Sequence, residues 1–119
     1  MNRTPGRDDV FELRDAAQAA LEAGRDEEAR RKFSEASRLS CAVLVVADPA
    51  RLAVAGAHAD AWYDHWRDVE KAFEIARTAY DDAISGIDDA VGEQYREAVR
   101  ELGELRDRLT FWAFKMASS

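Results

Sequence analysis

His58, His65 and Asp68 lie seven and three residues apart, close to one face of a helix, and two imidazoles with a carboxylate are ligand types for a transition metal. No fourth ligand accompanies them, and Asp68 is better placed as a helix cap, so no metal site is expected. His65 with Asp64 or Asp68 could serve as an acid–base pair. Yet no positioned nucleophile, glycine-rich phosphate loop or oxyanion device stands beside it. Neither catalytic residues nor a cofactor are expected, and a small metal-binding protein or enzyme using His58 and His65 is kept only as a second alternative.

Other side chains suit recognition better than catalysis. Arg100, Glu104 and Arg108 stand four apart, the spacing for a ladder of helical ion pairs, each worth roughly 0.2–0.5 kcal/mol. Trp62, Tyr63 and Trp66 form an aromatic cluster, and such rings dominate binding hot spots; Trp66 is the one expected at the surface. The run Cys41 to Ala47 is apolar all round a helix. One face should pack on neighbouring helices, and the others need a cover, either a deeper core or another subunit. Small residues of the first helix, Ala16, Ala17, Ala19, Ala20 and Ala23, permit close helix approach. Together these point to an oligomer or partner interface through Ala17, Leu21, Leu44, Val45 and Trp66.

The composition bounds what can position these groups. At 119 residues the chain is one domain by length, with 47% apolar and 34% charged residues and only two prolines, which favours long helices. A net charge of −7 argues against a nucleic-acid partner or an acidic membrane surface. Cys41 is the only cysteine, so an internal disulfide and a thiolate zinc cage are both unavailable. The apolar run at 41–47 is far below the roughly 18 residues that span a bilayer. No secretory signal follows Arg3, Arg7, Asp8 and Asp9, and a cytoplasmic protein is expected.

Residues 1–8, with Pro5 and Gly6, read as a flexible segment, and 9–119 as a single helical domain. The first helix is expected from near Asp9 to Gly24, a residue suited to the left-handed conformation that ends helices. Asp26 is the expected cap of a second helix through Ala29, Phe33, Ala36, Leu39 and Val43, stopping before Asp48. Asp48-Pro49 signals the start of a third, running to about Trp66. Asp68 caps a fourth, whose apolar positions Ala72, Phe73, Ala76, Ala79, Tyr80, Ala83, Ile84 and Ile87 follow helical spacing. Gly86 and Asp88-Asp89 loosen the chain before a last helix with the stripe Tyr95, Ala98, Leu102, Leu105, Leu109 and Trp112. The fold class is all-α: about five antiparallel helices stacked as hairpins.

Gly24, Ala29, Phe33 and Ala36 sit at tetratricopeptide-like spacing. From Phe33 to Trp112 three runs carry a more specific likeness. The first is Asp48-Pro49-Ala50-Arg51-Leu52, preceded by Phe33, Glu35, Ala36 and Ser40. The second is Glu70-Lys71-Ala72, Ala76, Arg77-Thr78-Ala79-Tyr80-Asp81-Asp82-Ala83-Ile84 and Asp88. The third is Glu93, Tyr95 and Leu105-Arg106-Asp107-Arg108-Leu109-Thr110-Phe111-Trp112. These resemble the C-terminal helices of the 14-3-3 family, which implies a stacked helical scaffold for binding proteins.

The family's phosphopeptide chemistry does not follow from that resemblance. The N-terminal helices that supply its dimer interface and two phosphate-binding residues have no counterpart, and its arginine–tyrosine pair corresponds to Ala16 and Ala17. Gly56, Ala57 and Asp60 stand where the family has leucine, a ligand-holding asparagine and valine. Arg100, Glu101 and Glu104 replace apolar groove residues, and Arg108 a second asparagine. An apolar groove becomes a charged one, and Asp60, Arg100, Glu101, Glu104 and Arg108 are its candidate partner-binding residues. The expected function is a non-enzymatic protein-interaction module, an adaptor or complex subunit lacking the phosphoserine pocket and associating with itself. The alternative is a structural homo-oligomer whose partner is itself.

Overall fold

In a computed structural model, described for residues 4–118, the chain forms α1 (Arg7–Glu22), α2 (Asp26–Val43), α3 (Pro49–Asp64), α4 (Val69–Gly86) and α5 (Gly92–Ala117), with a 3₁₀ turn at Ile87–Asp89 between the last two. The all-helical expectation holds. Residues Met1–Arg3 and Ser119 lie outside the described residues, so the expected N-terminal lead-in is visible only from Thr4.

Helix boundaries follow local chemistry. Asp48 Oδ1 accepts the Ala50 N–H at 2.9 Å while Pro49 opens α3, and Asp68 Oδ1 accepts the Lys71 N–H at 2.9 Å at the head of α4, as the sequence predicts. Gly24 has φ +77°, and around it the Arg25 N–H reaches Ala20 O at 2.9 Å and the Gly24 N–H reaches Leu21 O at 3.1 Å. This paired closure satisfies the last carbonyls of α1.

Three boundaries differ from expectation. Helix α1 begins at Arg7 because Asp9 Oδ2 reaches back to the Gly6 N–H at 2.8 Å, which takes Arg7 and Asp8 into the helix. Asp26 is the first residue of α2, not its cap; Arg25 holds the cap position without a side-chain bond to the helix backbone. Helix α3 ends at Asp64, short of Trp66, and Arg67 turns the chain into α4 with φ +56°.

The helices pack as sequential neighbours, α1 on α2, α3 on α4 and α4 on α5, while α3 also touches α1, α2 and α5. Helix α3 is therefore the central element, and it is lined with Ala50, Leu52, Val54, Ala59 and Ala61 in the core. Three clusters fill the interior. Leu52, Ala72, Ala76, Ala98, Leu102, Leu105 and Trp112 join α3, α4 and α5; Val10, Ala36 and Val54 join α1, α2 and α3; Ala17, Phe33 and Ala61 join the same three helices one layer further along. Ala17 is fully buried, so it cannot belong to an intermolecular interface: a methyl group is what lets α1 sit that close to α2 and α3. Ile84 and Tyr95, both counted on apolar stripes, are about half exposed, because α4 and α5 are covered on one side only.

The apolar run at 41–47 is not a continuous helix. Helix α2 stops at Val43, Leu44 is extended with φ −120° and ψ 145°, and the chain turns into Asp48. Val43 and Leu44 pack on the Val10–Ala36–Val54 cluster and Ala47 is buried, whereas Cys41 and Val45 face outward, Val45 at 70% exposure. Val46 leans on Gly86 so closely that a Cβ there would lie 2.5 Å from Val46 Cγ2. None of the described helices is long and apolar enough to cross a membrane.

Candidate functional site

Because α1 and α5 both pack on α3, they leave a furrow along it. Its larger part is a cleft of about 480 Å³ lined by Gln18, Leu21 and Glu22 of α1, Phe33 of α2, residues 53–65 along one face of α3, and Glu101, Glu104 and Arg108 of α5. Four of the five expected groove residues, Asp60, Glu101, Glu104 and Arg108, meet here. Arg100 does not. It lines an adjoining cleft of about 320 Å³ with Arg7, Phe11 and Arg14, which shares Ala53 and Glu101 with the first.

The expected ladder on α5 gives way to a cross-helix clamp. Arg108 donates from Nε to Asp60 Oδ1 at 2.7 Å and from Nη2 to Asp60 Oδ2 at 2.9 Å, a bidentate fork between α5 and α3. Planar guanidinium and carboxylate match in this geometry, which a flexible rung to Glu104 would not reproduce. Gly56, one turn before Asp60, makes the room: a Cβ there would lie 3.2 Å from the guanidinium carbon. The hydrogen bond from Arg108 to Asp60 holds the guanidinium above its ordinary pKa despite partial burial. Arg100 reaches Glu101 only at 3.9 Å, and Glu104 has no ion pair among the described residues.

With Asp60 and Arg108 balancing each other, the cleft keeps Glu22, Asp64, Glu101 and Glu104 against a single histidine, His65. Burial first, then the neighbouring Glu104 carboxylate, pushes the Glu101 carboxyl above the usual range. Leu21, Ala53, Ala57 and Ala61 are the apolar members of a lining that is otherwise mostly polar.

The histidines part company. His58 is buried, stacked on Phe33 with ring centroids 5.4 Å apart, and its Nε2 accepts the Trp62 indole N–H at 3.2 Å. An indole can only donate, so the ring proton sits on Nδ1, which donates to Ser37 Oγ at 3.0 Å. Both nitrogens are engaged, so His58 can neither ligate a metal nor take a proton from Ser37. Burial, helped by the charge of Lys71, lowers its pKa to about 4. His65 is exposed at the end of α3, and Asp68 is committed to its cap. His58 therefore drops out of the metal alternative, and the described residues contain no group of three His, Cys, Asp or Glu suited to an ion.

The expected interface does not form one surface. Leu21 lies in the cleft, Leu44 packs inward, and Trp66 is half-buried on the Ala17–Phe33–Ala61 cluster, leaving Val45 as the exposed member. Trp62 and Trp66 meet edge to face at 4.9 Å, and Arg30 of α2 covers both rings at 5.0 and 4.8 Å. Such a cation is a good lid for aromatic faces that would otherwise meet water. Tyr63 packs on Trp112 at 5.6 Å, as core. Sequence reasoning misses Glu22, Arg30 and the role of His58, and it offers Asp64 only as an acid–base partner of His65, not as part of the cleft. Only the role of His58 left a local signal, the i, i+4 spacing of His58 and Trp62.

A family model described as 14-3-3 protein matches residues 13–113. Among curated proteins, 14-3-3 protein 3 of Entamoeba histolytica is 32% identical over 80 residues, covering 67% of this chain and 33% of that protein. 14-3-3 protein 2 of the same organism is 34% identical over 77 residues, 65% of this chain and 32% of its own length. Protein BMH1 of Saccharomyces cerevisiae is 31% identical over 87 residues, 73% of this chain and 33% of its own. The chain thus matches about a third of the length of each of these relatives.

Proposed function

The chain belongs to the 14-3-3 family, and from that footing we propose that it is a non-enzymatic protein-interaction module that docks a peptide segment in the cleft between α1, α3 and α5 without reading phosphate. Membership supports a protein-binding adaptor role, while the particular side chains decide what is bound.

One observation carries the second half of the reading. The guanidinium of Arg108 is closed on Asp60 by two hydrogen bonds and surrounded by further carboxylates, so it offers no open fork to a phosphate. A phosphoryl group entering the cleft would meet Glu101 and Glu104 before it met a free cation. The tautomer that Trp62 imposes on His58 supports the non-catalytic half.

Titration of the protein with a phosphoserine peptide and its unphosphorylated twin tests this. Phosphorylation is expected to leave affinity unchanged or to weaken it; a phosphate-dependent gain would overturn the reading. A homo-oligomer is the second reading, with the 70% exposure of Val45 on its side. Light scattering on the protein and on Val45→Glu decides it, since a monomer in both removes that reading.

A further inference from the structure

The cleft has a charge pattern that selects among peptides. Its one guanidinium is neutralised by Asp60, and Glu22, Asp64 and Glu104, from three different helices, have no ion pair among the described residues. Glu101 has only Arg100, at 3.9 Å. These carboxylates share a concavity of about 480 Å³ with the apolar side chains of Leu21, Ala53, Ala57 and Ala61. Lysine and arginine side chains have the matching build, an apolar stem that lies on such side chains and a charged head that reaches the carboxylates.

The charge also changes along the groove. Beside Ala50 and Ala53 the adjoining cleft carries Arg7, Arg14 and Arg100, of which Arg7 is held by Asp48 and Arg14 by Asp15, so Arg100, 3.9 Å from Glu101, is the arginine there without a close ion pair. A uniformly acidic surface would attract any cation in any orientation. A groove of carboxylates with one loosely held arginine, Arg100, at its margin favours one direction.

We infer that the cleft binds an extended peptide segment bearing Lys or Arg at one end, its cationic side chains seated between Glu101, Glu104 and Asp64 and its uncharged or acidic end directed toward Arg100. This rests on the docking reading above and names the partner's charge. It inverts the ligand sign, since the entering group is a cation. The carboxylate of Glu101, crowded by Glu104 and partly buried, is the one a bound ammonium or guanidinium relieves most.

The test is an NMR titration of the full chain at low ionic strength with three peptides of equal length, one with Lys and Arg at one end, one with Glu in their place and one uncharged. The basic peptide is expected to shift the amides of Ala57, Asp60, Ala61 and Glu104, with affinity falling as salt is added. Glu104→Gln is expected to weaken it roughly two- to fivefold, whereas Asp88→Asn, the same charge change on the 3₁₀ turn outside the cleft, leaves it unaltered. Equal weakening by both variants would mean attraction to net charge alone and would overturn the inference. Cleft shifts with the acidic or uncharged peptide and none with the basic one would overturn it while the docking reading stands. Silence of the cleft toward all three would sink both.

Discussion

Arg108 on α5 and Asp60 on α3, 48 residues apart in sequence, are joined by two parallel hydrogen bonds of 2.7 and 2.9 Å across the floor of the groove. The pair is partly exposed, so solvent screens it, but it engages both carboxylate oxygens, one to each guanidinium nitrogen. A double-mutant cycle with Asp60→Ala and Arg108→Ala is expected to give a coupling energy of about 1 kcal/mol in urea unfolding. Additive effects would mean the clamp is not formed in solution.

Gly56 is the third member of that arrangement. Alanine is a better helix former than glycine by about 1 kcal/mol, so Gly56→Ala should stabilise α3 if nothing stands in the way. Here the guanidinium of Arg108 stands 3.2 Å from the new methyl. The expected outcome is therefore a gain that is small or absent in the natural background and close to the full value in an Arg108→Ala background. Thermal midpoints of the four proteins measure it, and equal gains in both backgrounds would refute the contact.

This clamp also shows where sequence reading ran out. The caps at Asp48 and Asp68 were legible because an acceptor, a proline and the next helical residues lie within one turn of each other. The glycine closure at Gly24 was legible for the same reason. The spacing pairs Arg108 with Glu104 because that is the one acid three or four residues from it on its own helix; its real partner is set by how α5 lies on α3. Ala17 was assigned to an interface because small residues suit any close helix approach, and only the packing of α1 on α2 and α3 says which. The apolar run at 41–47 was read as helix throughout because its composition contains no local stop; the end at Val43 follows from docking Leu44 on the Val10–Ala36–Val54 cluster.

His58 gives the fold a pH dependence of definite sign. Its folded pKa of about 4 lies below the ordinary value of 6.5, so between those limits the unfolded chain binds a proton that the folded chain does not. Stability is therefore complete above the unfolded pKa and falls as pH drops toward the folded one, with a slope approaching about 1.4 kcal/mol per pH unit. Urea unfolding at pH 7, 6 and 5 is expected to show that decline, and His58→Gln should flatten it relative to the natural chain by removing the titrating ring. A parallel decline in both proteins would assign the effect to other groups.

Gly86 and Val46 set a last condition on the fold. The end of α4 passes the α2–α3 turn so closely that a Cβ at position 86 would lie 2.5 Å from Val46 Cγ2, nearer than unbonded carbons come. Gly86 has φ −117°, a conformation open to any residue, so backbone strain is not what requires glycine; the Val46 side chain is. Gly86→Ala should destabilise the protein by about 1–3 kcal/mol through overpacking. Val46→Ala shortens the side chain that the new methyl strikes, so the double variant should recover most of the loss that Gly86→Ala causes alone. Denaturant midpoints that simply add would show instead that α4 tolerates the methyl by moving away from Val46.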